Sequence, residues 1–369
     1  MIIVFFYILF SVTALNSPVT VYGTQIIGFF SIFLLSISLR MRINIGLNLL
    51  FVGIFLVILF TTKLNSIYGE YTGILWLNAM RSSFWVFIAF NLYAYIKHQP
   101  KDYLERSLKI IILISVFFVY TQFVSFYVFH FNFDLSTLLG GEPARSGSGH
   151  IYRPVGLTTE PAIHSGFMLG MLTLYYICRN KVDSVVMLGL SSLFLSMSVF
   201  GIIAALIFIV VTCFNFRSYV SIIIGLLLLI TSFYFVFDIL QSRLDLFLSG
   251  GDGSNNVKVT ILKDIIYSNV ISLIGFGFVG KAGDAPLYYE ALYDMTLPIN
   301  LIVLFGLPIG LIALAVIFVL FIKLQFDLRS KALIALTLLK VSSLTSIFFP
   351  CFVCILYCLN NHKLKSSLK

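Results

Sequence analysis

Charge is scarce in this chain. Asp, Glu, Lys and Arg together make up 11% of its 369 residues, against roughly a quarter in soluble domains. That shortage excludes an ordinary water-soluble enzyme, and the 60% apolar content excludes a disordered chain. Cysteine is sparse as well. Cys178, Cys213, Cys351, Cys354 and Cys358 all lie in apolar stretches, so no disulfide framework of the secreted kind is implied. Cys351, Cys354 and Cys358 share one helix face. Small polarizable side chains packed between helices explain them more simply than a thiol metal or redox site. D-x-D, H-E-x-x-H and G-x-S-x-G are all absent, and His98, His130, His150, His164 and His362 show no metal-ligand spacing. Without D-x-D, the usual means of holding a metal with a sugar nucleotide is missing. No internal repeat is visible, which disfavours a transporter built from matched inverted halves.

What the chain has is long apolar runs, with 38 Phe and 19 Tyr and a mean hydropathy of +1.03. A bilayer core of about 30 Å takes about 20 helical residues. Candidate spans are 2–15, 19–39, 45–62, 73–96, 108–130, 161–178, 183–197, 199–215, 218–237, 298–322, 332–346 and 348–361. The fold class expected is therefore all-α, a polytopic transmembrane bundle of about 12 helices forming one integral domain over 1–369. Ile2–Leu15 lacks the basic start and cleavage pattern of a signal peptide and reads as a short retained helix. The run 183–216 would make about 50 Å of helix, and basic residues flank it at both ends (Arg179, Lys181, Arg217). It must cross twice, with a turn near Ser196–Gly201. The same logic divides 332–361, near Pro350.

Net charge is +9, but its placement is a topology signal and not a nucleic-acid footprint. Fifteen basic residues and four acids fall in the segments assigned to the cytoplasm. Seven basic residues and eleven acids fall outside, and Arg81 and Lys340 lie inside spans. The positive-inside rule then puts both termini in the cytoplasm. Two long loops, about 131–160 and 238–297, face outward.

Those loops hold the candidate chemistry. Gly275-Phe276-Gly277-Phe278-Val279-Gly280 satisfies G-x-G-x-x-G, but Ala282 stands where a P-loop needs Ser or Thr. In an external loop, a close backbone approach explains the glycines better than a nucleotide. The first loop runs Arg153-Pro154-Val155-Gly156-Leu157-Thr158-Thr159-Glu160-Pro161. Pro161 suits the first turn of a helix that Thr159 or Glu160 caps. His164 then sits one turn in, on the face of Glu160, so the two are candidate acid–base partners. A helix cap beside an interfacial histidine is the plainer alternative. Arg145, Arg153 and Arg243 are the external arginines, and arginine suits a two-pronged grip on phosphate. Lys258 and Lys281 lie in the second loop among acids. Arg81 and Lys340, deep in their spans, need a polar cavity, an anionic ligand or an ion-pair partner.

On these residues the chain resembles the Wzy family of O-antigen and capsule polymerases, within the superfamily that includes the O-antigen ligases. The R-P-x-G-x-x-x-E-P run carries the resemblance. Supporting it are Ser196-Met197-Ser198-Val199-Phe200-Gly201-Ile202-Ile203, then Gly275-Phe276-Gly277, Asp294 and Phe305-Gly306-Leu307-Pro308-Ile309-Gly310. The layout is similar over nearly the whole chain.

The resemblance implies a GT-C-like, cofactor-free glycosyltransferase of a bacterial inner membrane, with two large periplasmic loops. Its partners would be undecaprenyl-diphosphate-linked oligosaccharide, membrane lipid and a chain-length regulator protein, with no nucleic acid. It implies Glu160 as base with His164 behind it. Arg153, Arg243 and Arg145 would lead in binding pyrophosphate, with Lys258, Lys281 and Arg81 as further substrate ligands. The loop 238–297 lacks the ligases' histidine, which favours a polymerase. Val199 stands where family members often carry Arg or Lys. Ligase and flippase or transporter are the alternatives.

Overall fold

The computed structural model describes residues 2–15, 22–23, 45–69, 74–97, 99–148, 151–213, 241, 245, 253–280 and 289–367. Among these the architecture is all-helical, apart from one small hairpin. In chain order the helices are α1 (Ile2–Val12), α2 (Ile45–Tyr68), α3 (Leu75–Ile96), α4 (Lys101–Tyr127) and α5 (Leu135–Leu138). The hairpin β1 (Gly147–Ser148) and β2 (Ile151–Tyr152) follows. Next come α6 (Pro161–Arg179), α7 (Ser184–Leu195), α8 (Val199–Cys213), α9 (Gly253–Tyr267) and α10 (Asn269–Ile274). A 3₁₀ turn (Tyr289–Tyr293) precedes α11 (Leu297–Ile322), α12 (Leu328–Leu338) and α13 (Phe348–Ser367). Helices α4, α6 and α11 are long and apolar enough to cross a bilayer. The expected span 218–237, and 19–39 apart from residues 22–23, lie outside the described residues.

Helix α6 sits at the centre. It packs against α4, α7, α8, α12 and α13, and most of its length is buried. Glycines make this possible. A Cβ at Gly170 would lie 2.8 Å from the Phe348 ring, and one at Gly201 would lie 2.4 Å from Ser165 Oγ. Small residues let helices approach closely enough for dispersion contacts, which hold a bundle together where lipid is as apolar as the core. The helix starts at Pro161 and ends on Asn180 in the left-handed region (φ 52°). Asp183 then opens α7, accepting hydrogen bonds from the backbone N–H of Val185 (3.1 Å) and Val186 (3.2 Å).

Two boundaries differ from the sequence reading, and one expected turn falls within its range. Helix α4 begins at Lys101, seven residues ahead of the apolar run, because Asp102 and the charges after it suit an exposed first turn. The stretch 332–346 is not one span: α12 stops at Leu338, and 339–347 is non-helical up to α13. Ser342, Ser343, Thr345 and Ser346 crowd this segment, and such side chains compete for backbone hydrogen bonds. The break therefore precedes Pro350, which sits in the first turn of α13. Lys340 lies in that break, not within a continuous helix. The turn expected near Ser196–Gly201 falls at Ser196–Ser198, between α7 and α8, with Met197 at φ 48°.

A second, smaller core gathers Leu75, Ile261, Ile265, Ile271, Phe276, Val279, Leu292, Met295 and Val303. Much of the loop 238–297 is thus a folded layer built on α9, α10 and the start of α11.

Candidate functional site

The R-P-x-G run is fastened to the bundle by a residue that draws little notice in the sequence. Gln122, on α4 and fully buried, accepts hydrogen bonds from Val155 N–H (2.9 Å) and Gly156 N–H (2.8 Å) and donates to Gly156 O (3.2 Å). A polar residue inside an apolar helix was the available signal, since such groups must find partners. Thr158 donates to Val155 O (2.8 Å) or to Glu160 O (3.0 Å). Ala14 N–H, just past α1, reaches Leu157 O at 3.0 Å. Gly156 takes φ +60°, and a Cβ there would lie 3.0 Å from His164 Nδ1 and 3.1 Å from Val119. The motif glycine is therefore required twice over.

The hairpin next to this run pairs Gly147 with Tyr152 and Ser148 with Ile151. Arg153 N–H continues the ladder to Ser146 O (2.7 Å), and Arg145 N–H reaches Thr159 O (2.8 Å). The two arginines thus flank the hairpin on one clamped loop, Arg145 two residues before β1 and Arg153 directly after β2. Asp134 ties in the near side, accepting from Ser136 N–H (2.9 Å) and Ala144 N–H (2.8 Å). Tyr152 stacks on Phe126 with centroids 4.6 Å apart. Burial pushes its hydroxyl up to about 12, so it stays neutral and serves as a support, not a base.

Arg145 Nη1 pairs with Glu160 Oε1 at 2.8 Å, with side-chain exposures of 70% and 32%. Glu160 occupies the N-cap position of α6, but its side chain makes no capping bond. The pair is open to solvent and worth little as a staple, which leaves the carboxylate available for exchange. His164 is buried and turned inward. Its ring meets Gly156, and its Nε2 is 3.5 Å from Ser192 Oγ. Arg145, Arg153, Glu160 and His164 thus belong to one neighbourhood, but the Glu160 carboxylate is engaged with Arg145 while His164 faces α7.

The other sequence candidates sit elsewhere. Lys258, on α9, meets Asp294 at 2.8 Å, and Lys340 pairs with the other oxygen of that carboxylate. Burial acts to raise the Asp294 carboxyl, but Lys340 and Lys258 outweigh it and hold it below the usual carboxylate range. Arg81 is exposed on α3, 5.9 Å above the ring of Trp85 one turn on. Arg243 and Lys281 lie outside the described residues.

The glycine-rich run holds a broken helix. Helix α11 is interrupted at Gly306 (φ 77°, ψ 170°). Phe276 N–H and Gly277 N–H donate to Val303 O (2.8 Å) and Leu304 O (3.2 Å) at the break. Asn65 and Asn78 anchor the run from α2 and α3, donating to Ile274 O (3.1 Å) and Phe278 O (3.2 Å). A Cβ on Gly275 would sit 2.5 Å from Gly306 N, and one on Gly306 would sit 2.3 Å from Leu273 O. The glycines serve this close backbone contact. Among the described residues no three His, Cys, Asp or Glu side chains gather as a metal site would require. No protein-family model matches the chain, and no curated protein matches it.

Proposed function

We propose that the chain is an oligosaccharide repeat-unit polymerase of the bacterial inner membrane, with about 12 helices, both termini in the cytoplasm and the clamped loop facing outward. It transfers a growing glycan from undecaprenyl diphosphate to the terminal sugar of an incoming lipid-linked repeat unit. One observation carries the reading: the Arg145–Glu160 pair, with the Arg153 backbone bonded to Ser146 beside it, is held on a loop fastened to helix α4 through Gln122. That arrangement suits glycosyl transfer from a lipid diphosphate. The attacking hydroxyl needs a base, for which Glu160 is placed at the open edge. The departing diphosphate gains charge as the glycosidic bond breaks, and Arg145 and Arg153 supply cations for it. When substrate phosphate draws Arg145 away, the Glu160 carboxylate is released for proton transfer. His164, one turn inside, serves as the second candidate for the proton.

The test is direct. Purified protein in detergent should lengthen lipid-linked repeat units, and Arg153→Ala should abolish lengthening while the protein remains in the membrane. Wild-type chain lengths from that variant would overturn the assignment. A ligase differs in phenotype: its loss leaves long lipid-linked polymer, whereas polymerase loss leaves single repeats.

The broken α11 favours a second reading, a flippase or transporter, since such proteins bind cargo at interrupted helices. Against it, Phe276 and Gly277 already satisfy carbonyls at the break.

A further inference from the structure

Lys258, Asp294 and Lys340 come from three separate elements: α9, the turn after the 3₁₀ helix, and the break between α12 and α13. Two ammonium groups share one carboxylate, so among the described residues the three paired side chains carry a net positive charge. The side-chain exposures are 17% for Lys340, 26% for Lys258 and 42% for Asp294. All three are partly buried, the two cations more than the anion. The stem of Lys340 packs on Gly166 of α6, where a Cβ would come within 2.9 Å of Lys340 Cγ. That contact is two residues from His164. Partly buried cations that share one counter-charge attract a further anion, and a group with several oxygens can serve both lysines at once.

We propose that Lys258 and Lys340 form an anion site for a phosphate or diphosphate group, occupied in this structure by the chain's own Asp294, which the incoming anion displaces. The ligand class follows from the two lysines. Its use as the seat of the second lipid-linked substrate rests on the glycosyl-transfer reading above.

The experiment uses the full chain in detergent, with labelled inorganic pyrophosphate as the probe. Asp294→Asn keeps the shape and removes the competing charge. It should tighten pyrophosphate binding at least tenfold, and adding Lys258→Gln with Lys340→Gln should abolish the gain. Unchanged binding in Asp294→Asn, or a gain that survives loss of both lysines, would overturn the proposal. If Asp294→Asn loses its thermal transition, the Lys258→Gln/Lys340→Gln protein decides. A fall of threefold or more in pyrophosphate binding supports the site, and wild-type binding defeats it. Displacement of the probe by a polyprenyl diphosphate, but not by equimolar inorganic phosphate, assigns the site to a lipid headgroup. Equal displacement by both assigns it to a free anion. The polymerase reading fails separately: a tight Asp294→Asn site in a protein whose Arg153→Ala variant still makes full-length glycan keeps the anion site and discards that use of it.

Discussion

Gln122 shows how a single buried amide can set the position of residues some thirty places along the chain. Its two acceptor bonds and one donor bond satisfy the backbone at Val155 and Gly156. Gln122→Ala leaves those groups buried without partners, at about 1–3 kcal/mol for each. We expect a lower thermal midpoint and, on the polymerase reading, shortened glycan. Normal stability in that variant would show that the clamp carries no load. Asp294 gives a pH prediction. Its carboxyl is held below the usual range by Lys340 and Lys258. Its contribution to stability is therefore complete above the unfolded value of about 3.9 and is lost as pH falls through the lower folded value. Acid unfolding of Asp294→Asn should show a shallower pH dependence below about pH 4, and a superimposable profile would contradict the ion-pair account. The sequence exposed Arg153, Glu160 and Lys340 as candidates because charge is rare here. It could not show that Lys258 and Lys340 share Asp294, since that meeting spans three distant segments. Nor could it turn His164 toward Ser192, because helical spacing fixes a face and not the neighbour opposite it.

At the level of elements, the paired breaks in α11 and between α12 and α13 stand out. Apolar content alone suggests continuous spans at 298–322 and 332–346. The first hides a glycine with a backbone conformation closed to other residues, and the second yields to four hydroxyl side chains. Gly306→Ala places a Cβ against the Leu273 carbonyl at φ 77°, and such strain costs about 1–3 kcal/mol before the clash is added. We expect that variant to be poorly folded or strongly destabilised in detergent. Gly53→Ala, where a Cβ meets nothing within 4 Å, should be neutral in the same assay. Equal midpoints for the two would show that the break is not needed. The glycine-rich run was legible as a close approach but not as to what it approaches, because the partner carbonyls of Val303 and Leu304 lie in a different element.

Across the whole molecule, helical class and membrane character follow from composition. The proposed orientation follows from where the basic residues fall. Reporter fusions at Lys369 and within 131–160 should read cytoplasmic and external respectively. Reversal of both would place Arg145 and Arg153 on the wrong face for a substrate exported across the membrane. Helix α6 joins the two charged clusters, with Glu160 at its entrance and Gly166 under the stem of Lys340. The fastening of the R-P-x-G run to α4 and to the end of α1 has one more consequence. A loop stapled at Gln122 and at Ala14 is anchored at both points and cannot swing out to follow a lengthening product. On the polymerase reading, the sugar polymer is then the travelling partner, fed past a stationary grip, and its final length is decided by how long it is retained and not by the reach of any arm of the protein.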